Sequence, residues 1–66
     1  MRNTIKVARA EHNLTQEELA KKIGVSRQTI NSIEKGRYVP STVLSLKMAR
    51  EFGKPVELLF HLETDD

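Results

Sequence analysis

Residues 14–36 read LTQEELAKKIGVSRQTINSIEKG, Leu14 to Gly36, and this stretch decides the fold. Thr15 followed by Glu18 is a capping box: the Thr hydroxyl takes the Glu18 amide and the Glu carboxylate returns to the Thr15 amide. Leu19, Ala20 and Ile23 then share one face at helical spacing. Gly24 stands just past the helix end, where a left-handed backbone costs a residue without Cβ little. Ser26 is the N-cap of a second helix whose buried stripe is Ile30 and Ile33. Arg27, Gln28, Asn31 and Ser32 are left facing outward from its first two turns. Two short helices joined by a glycine turn, with hydrogen-bonding side chains exposed at the start of the second, meet the requirements for reading a DNA major groove.

Working outward, five helices are expected. The first runs from about Thr4 to Glu11, capped by Asn3, with Asn13 beyond its end and Ile5, Ala8 and Arg9 facing inward. The second and third are about Gln16–Ile23 and Arg27–Lys35. Gly36 and Pro40 bracket a loop. Ser41 caps a fourth helix, about Thr42–Phe52, with Ser45, Met48, Ala49 and Phe52 on its core face and Gly53 at its end. Pro55 opens a fifth, about Pro55–Leu59, where a missing amide donor does no harm. Phe60 to Thr64 alternates weakly and reads either as a short strand or as a frayed end.

The stretch resembles the helix-turn-helix of the Cro/CI-type repressors, the Xre family. The resemblance rests on Gln16, Leu19-Ala20, Gly24-Val25-Ser26, Ile30, Ile33, Glu34 and Gly36. It continues through Pro40-Ser41, Lys47, Ala49 and Leu59-Phe60, so it covers roughly residues 4 to 60. The short chain and the tail past Phe60 look most like small stand-alone dimeric regulators of the cytolysin-repressor type. The resemblance implies an all-α, five-helix lambda-repressor-like DNA-binding domain over residues 1–66. Its helix-turn-helix occupies about 15–35, and residues 56–66 form a candidate dimerisation tail. In such relatives the tail forms a short C-terminal antiparallel β extension, here expected near Arg2 and Asn3.

Composition agrees with one small domain. A chain of 66 residues buries only about 60% of its unfolded surface and is marginal alone. It has no Cys to staple it, so a compact helical core helped by dimerisation is the expected compensation. No apolar run approaches membrane-spanning length and the N-terminus is not signal-like, so a soluble, cytoplasmic protein is expected. The net charge of +2 is unevenly spread. Residues 1–50 hold ten Lys/Arg against four Asp/Glu, whereas residues 51–66 hold one Lys against five acids. A polyanion would meet the basic body and be repelled by the acidic end.

Candidate DNA contacts follow. Gln28 can bind adenine N6 and N7 with two hydrogen bonds, and Arg27 guanine O6 and N7 or a phosphate. Asn31 and Ser32, one turn on, reach further bases. Gln16 stands at a helix N-terminus, which favours an anion; the resemblance implies a phosphate contact there and a brace to Gln28. Ser26, Thr29, Lys35, Arg37 and Tyr38 flank the recognition helix and are phosphate candidates. The resemblance also pairs Arg9 with Glu34 across helices one and three, as a structural ion pair. Val7, Leu44, Val56, Leu58, Phe60 and Leu62 are the candidate dimer interface, because several of them do not fit a monomer's core pattern.

Catalysis has little support. Two His residues, no Cys and no glycine-rich phosphate loop give no catalytic set. His12 and His61 belong to no metal-ligand spacing. No cofactor, metal, membrane or small-molecule ligand is expected. The partners expected are double-stranded DNA and a second copy of the chain. The expected function is a homodimeric repressor on a palindromic operator. The alternatives are an antitoxin-type protein that also represses its own operon, or an adaptor using the same fold for protein contacts.

Overall fold

A computed structural model describes residues 1–66. The elements are β1 Arg2–Asn3, α1 Ile5–Glu11, α2 Gln16–Ile23, α3 Arg27–Glu34, α4 Thr42–Phe52, α5 Val56–Leu59 and β2 Phe60–His61. The five helices surround one apolar cluster, and the two short strands pair antiparallel, Arg2 with His61 and Asn3 with Phe60. No helix is long and apolar enough to cross a membrane.

Local chemistry sets the helix ends. Thr15 Oγ1 accepts from Glu18 N at 3.0 Å and Thr15 N donates to Glu18 Oε1 at 2.8 Å, so both halves of the capping box are made. Gly24 closes α2 at φ 78°, a left-handed position that a side chain would strain. Ser26 and Ser41 each accept a backbone amide three residues on, at 3.1 Å, and so start α3 and α4.

The core gathers Ile5 and Ala8 of α1, Leu19, Ala20 and Ile23 of α2, and Ile30 and Ile33 of α3. Leu44, Met48 and Phe52 of α4, with Leu59 and Phe60, complete it. On α4 the buried stripe therefore runs i, i+4, i+8 from Leu44. Two assignments change as a result. Leu44 and Phe60, expected at a dimer interface, are each only 8% exposed and belong to the core. Ser45 and Ala49, expected to face the core, are half-buried at its edge, and the Ser45 hydroxyl bonds back to Ser41 O at 2.9 Å.

The start of the chain also differs from expectation. α1 begins at Ile5 because Thr4 is used elsewhere. Its N–H donates to Leu59 O and its hydroxyl to Leu58 O, both at 2.9 Å, which fastens α5 beside α1. Asn3 acts on two elements: its Oδ1 accepts from Ile5 N at 3.2 Å, and its Nδ2 donates to Ile33 O at 2.7 Å. The Ile33 carbonyl, in the last turn of α3, also accepts from Gly36 N at 2.9 Å, so Asn3 is its second donor. The strand pair thus positions a side chain that adds a hydrogen bond to the C-terminal end of α3.

Candidate nucleic-acid interface

α3 presents its polar face from a fixed base. Ile30 and Ile33 are fully buried, which sets the rotation of the helix about its axis. Arg27 and Gln28 are then exposed, and Thr29, Asn31 and Ser32 half-buried. A shallow concavity of about 260 Å³ brings together Ser26, Gln28, Thr29, Ser32 and Tyr38. Ser26 Oγ lies 2.9 Å from Thr29 Oγ1, so these two hydroxyls share a hydrogen bond at the start of the helix. Lys35, Arg37 and Tyr38 follow as exposed side chains beyond its C-terminal end. None of the cations on this face, Arg27, Lys35 and Arg37, takes part in an ion pair.

Behind this face, four side chains form a continuous polar chain from α1 to α3. Arg9 Nε donates to Glu34 Oε2 at 2.8 Å and Arg9 Nη2 to Glu34 Oε1 at 3.3 Å. A third Arg9 donor reaches Leu14 O at 2.8 Å, fixing the α1–α2 loop. The bond to Glu34 raises the Arg9 pKa above its ordinary value, so the guanidinium is always charged. Gln16 Nε2 then donates to Glu34 Oε1 at 3.1 Å and to Asn31 Oδ1 at 3.3 Å.

This arrangement corrects one expectation and refines another. The brace from Gln16 runs to Asn31 and Glu34 and not to Gln28, because those two lie on the flank of α3 that meets α2 while Gln28 lies on its outer face. Both amide hydrogens of Gln16 are used inward, so the donors at this helix end that remain for an anion are main-chain N–H groups. Asn31 is held through its carbonyl oxygen, and its own amide group makes no hydrogen bond within the protein.

The apolar surface also differs from the expected set. Val7, Leu58 and Leu62 are exposed, Leu62 at 81%, and Val56 is half-buried against the core. Val39, Val43 and Leu46 are exposed as well and were not anticipated. For Val43 and Leu46 the signal is a second apolar stripe on α4, at i, i+3; Val39 lies in the loop before that helix. Val39, Pro40, Leu46, Val56 and Phe60 line one apolar groove of about 450 Å³. A separate basic concavity, lined by Lys21, Lys22, Lys47 and Arg50, was also not foreseen. No group of three or more His, Cys, Asp or Glu residues is placed to hold a metal ion.

With this geometry in hand, known proteins supply the family. A helix-turn-helix family matches residues 5–59. An uncharacterized HTH-type transcriptional regulator of Methanocaldococcus jannaschii is 58% identical over 66 residues, covering 100% of both chains. An uncharacterized HTH-type transcriptional regulator of Bacillus subtilis is 44% identical, again over 100% of both. Among solved structures, the SOS-response transcriptional repressor LexA of Eubacterium rectale superposes with a TM-score of 0.80 at 31% identity, covering 94% of this chain. This chain spans 66% of that one. The protein belongs to the helix-turn-helix family of Cro/CI (Xre) type, whose members are DNA-binding transcriptional regulators and not enzymes.

Proposed function

We propose that this chain reads a palindromic DNA operator as a homodimer and represses transcription by occupying a promoter. The observation that carries the reading is the polar row of exposed Arg27 and Gln28 and half-buried Asn31 and Ser32 on a helix whose rotation is fixed by two fully buried isoleucines. Gln28, at the outer face, is assigned to a base edge, and Arg27 to a guanine or a phosphate. Lys35, Arg37, Tyr38, Ser26 and Thr29 are assigned to phosphates on either side. Such contacts give affinity and register but little sequence information.

A single recognition helix reads few base pairs. Two of them held about 34–36 Å apart reach successive major grooves on one face of the duplex. Val7, Leu58 and Leu62 are the exposed apolar residues assigned to that pairing, with Val56 beside them. The repressor role is supported by the fold shared with the LexA-type repressor. The test is selection of bound sequences from random duplex DNA, followed by sedimentation of the complex. An inverted repeat bound by two copies is the expected result. Failure to enrich any sequence would overturn the reading.

A further inference from the structure

One charged surface of the molecule is left over when the recognition face is accounted for. Lys21 and Lys22 in the last turn of α2 and Lys47 and Arg50 on α4 line a concavity of about 480 Å³, together with Ile23, Gly24 and Glu51. Four of the eleven Lys and Arg residues are thus gathered in one place, against a single carboxylate. Glu51 engages only Lys22, at 3.7 Å. Lys21, Lys47 and Arg50 have no ion-pair or hydrogen-bond partner through their side chains. Three cations of the cluster are therefore without a contact partner. The helix macrodipole accounts for Lys21, Lys22 and Arg50, which sit at helix C-termini. It does not account for Lys47, which is in mid-helix and closes the cluster.

We propose that this concavity is a second polyanion site, taking backbone phosphates of DNA that lie outside the stretch read by α3. The inference rests on the DNA-binding reading above and extends it. The lining decides the ligand class. Ile23 is its one apolar residue and is only 4% exposed. A protein partner is anchored by buried apolar and aromatic side chains, and the concavity offers none. Phosphate binding needs only mobile cations, and three lysines and an arginine supply them. The phosphates have two possible sources, the flanks of the same duplex or a second duplex brought alongside.

The test compares the wild type with a K21Q/K47Q/R50Q variant, which leaves the Lys22–Glu51 pair and the whole of α3 intact. Circular dichroism and thermal unfolding check that the variant folds; if it does not, K47Q alone replaces it. Three probes are used: a minimal operator duplex, the same operator with long random flanks, and a pair of labelled duplexes whose approach is read by energy transfer. The expected result is a weaker salt dependence for the triple variant, its log–log slope smaller by about 2–3 and that of K47Q by about 1. Loss confined to the flanked duplex assigns the site to the same DNA; loss of energy transfer assigns it to a second duplex. An unchanged slope with all three probes overturns the inference while leaving operator reading in place. So does a wild type that takes polyglutamate in preference to the flanking DNA through the same three residues, since that marks an acidic protein partner. A wild type that binds no duplex at all fails the operator reading itself and this inference with it.

Discussion

Arg9 and Glu34 lie 25 residues apart in sequence and meet through two hydrogen bonds, with side chains only 16% and 6% exposed. A charge held this far from water is expensive to leave alone. Arg9→Ala and Glu34→Ala are each expected to cost about 2–3 kcal/mol, and the double variant clearly less than their sum. Chemical unfolding of the three variants measures the coupling. A coupling indistinguishable from zero would reject a stabilising role for the pair.

The link from Gln16 to Asn31 turns that framework toward DNA. Gln16→Ala removes the donor that holds Asn31 Oδ1 at 3.3 Å. Operator affinity is expected to fall about tenfold, and the Gln16→Ala/Asn31→Ala pair is expected to lose less than the sum of the two single losses, because the two side chains share a contact. Equilibrium titrations with the selected operator check this. Strictly additive losses would show that Gln16 acts on DNA independently of Asn31.

Base reading and phosphate binding separate by substitution. Gln28→Ala is expected to lose about 1–3 kcal/mol at one base position and to relax the preference there. Lys35→Ala is expected to weaken all sequences alike and to lower the salt slope by about 1. Repeating the selection with each variant distinguishes them. An unchanged preference in Gln28→Ala would place base reading elsewhere on α3.

Self-association is expected to depend on the exposed residues of the tail. Leu58→Asp is expected to give a folded monomer with most operator affinity lost, whereas Leu44→Asp, placing a charge in the core, is expected to unfold the chain. Leu46→Asp reports on the separate apolar groove beside α4. Sedimentation with circular dichroism reads all three. A Leu58→Asp protein that stays dimeric while Leu46→Asp does not would move the interface to that groove.

Acid is expected to weaken the fold through two exposed carboxylates. The Glu18 pKa lies below its ordinary 4.5 because the Thr15 backbone amide, then the Thr15 hydroxyl, bond to the carboxylate form of the capping box. The Glu11 pKa is lowered by its 2.7 Å bond to Lys54. Each carboxylate holds fewer protons folded than unfolded. Their stabilisation is therefore complete above the ordinary value and is lost as pH falls through the lowered one. Urea midpoints at about pH 6 and about pH 3 are expected to differ less in Glu18→Gln than in the wild type. Equal differences would exclude the capping box as a source of the acid sensitivity.

The helix pair was legible because its signals are local. Thr15, Glu18, Gly24 and Ser26 each act on residues three or four positions away, so their effect needs no knowledge of the rest of the chain. α4 was harder for a definite reason. TVLSLKMAREF carries two apolar stripes, Leu44-Met48-Phe52 and Val43-Leu46, and which one is buried depends on where the other helices lie. The Gln16 partner was missed on the same ground, since the helix-packing geometry chooses Asn31 over Gln28. Lys21 and Lys47 are 26 residues apart, so their shared concavity has no trace in local sequence. The tail left strand and frayed end equally open because two paired residues are too few to show alternation.

The pairing of Arg2–Asn3 with Phe60–His61 has a consequence for the order of folding. α2 and α3 are close in sequence, and local contacts of this kind form fast. The strand pair joins residues from distant parts of the sequence, so its loop is costly to close and it forms late. Until it closes, the Asn3 amide is not held at the Ile33 carbonyl, and the last turn of α3 lacks that hydrogen bond. The slowest contact in folding thereby falls at one end of the helix that the fastest contacts build.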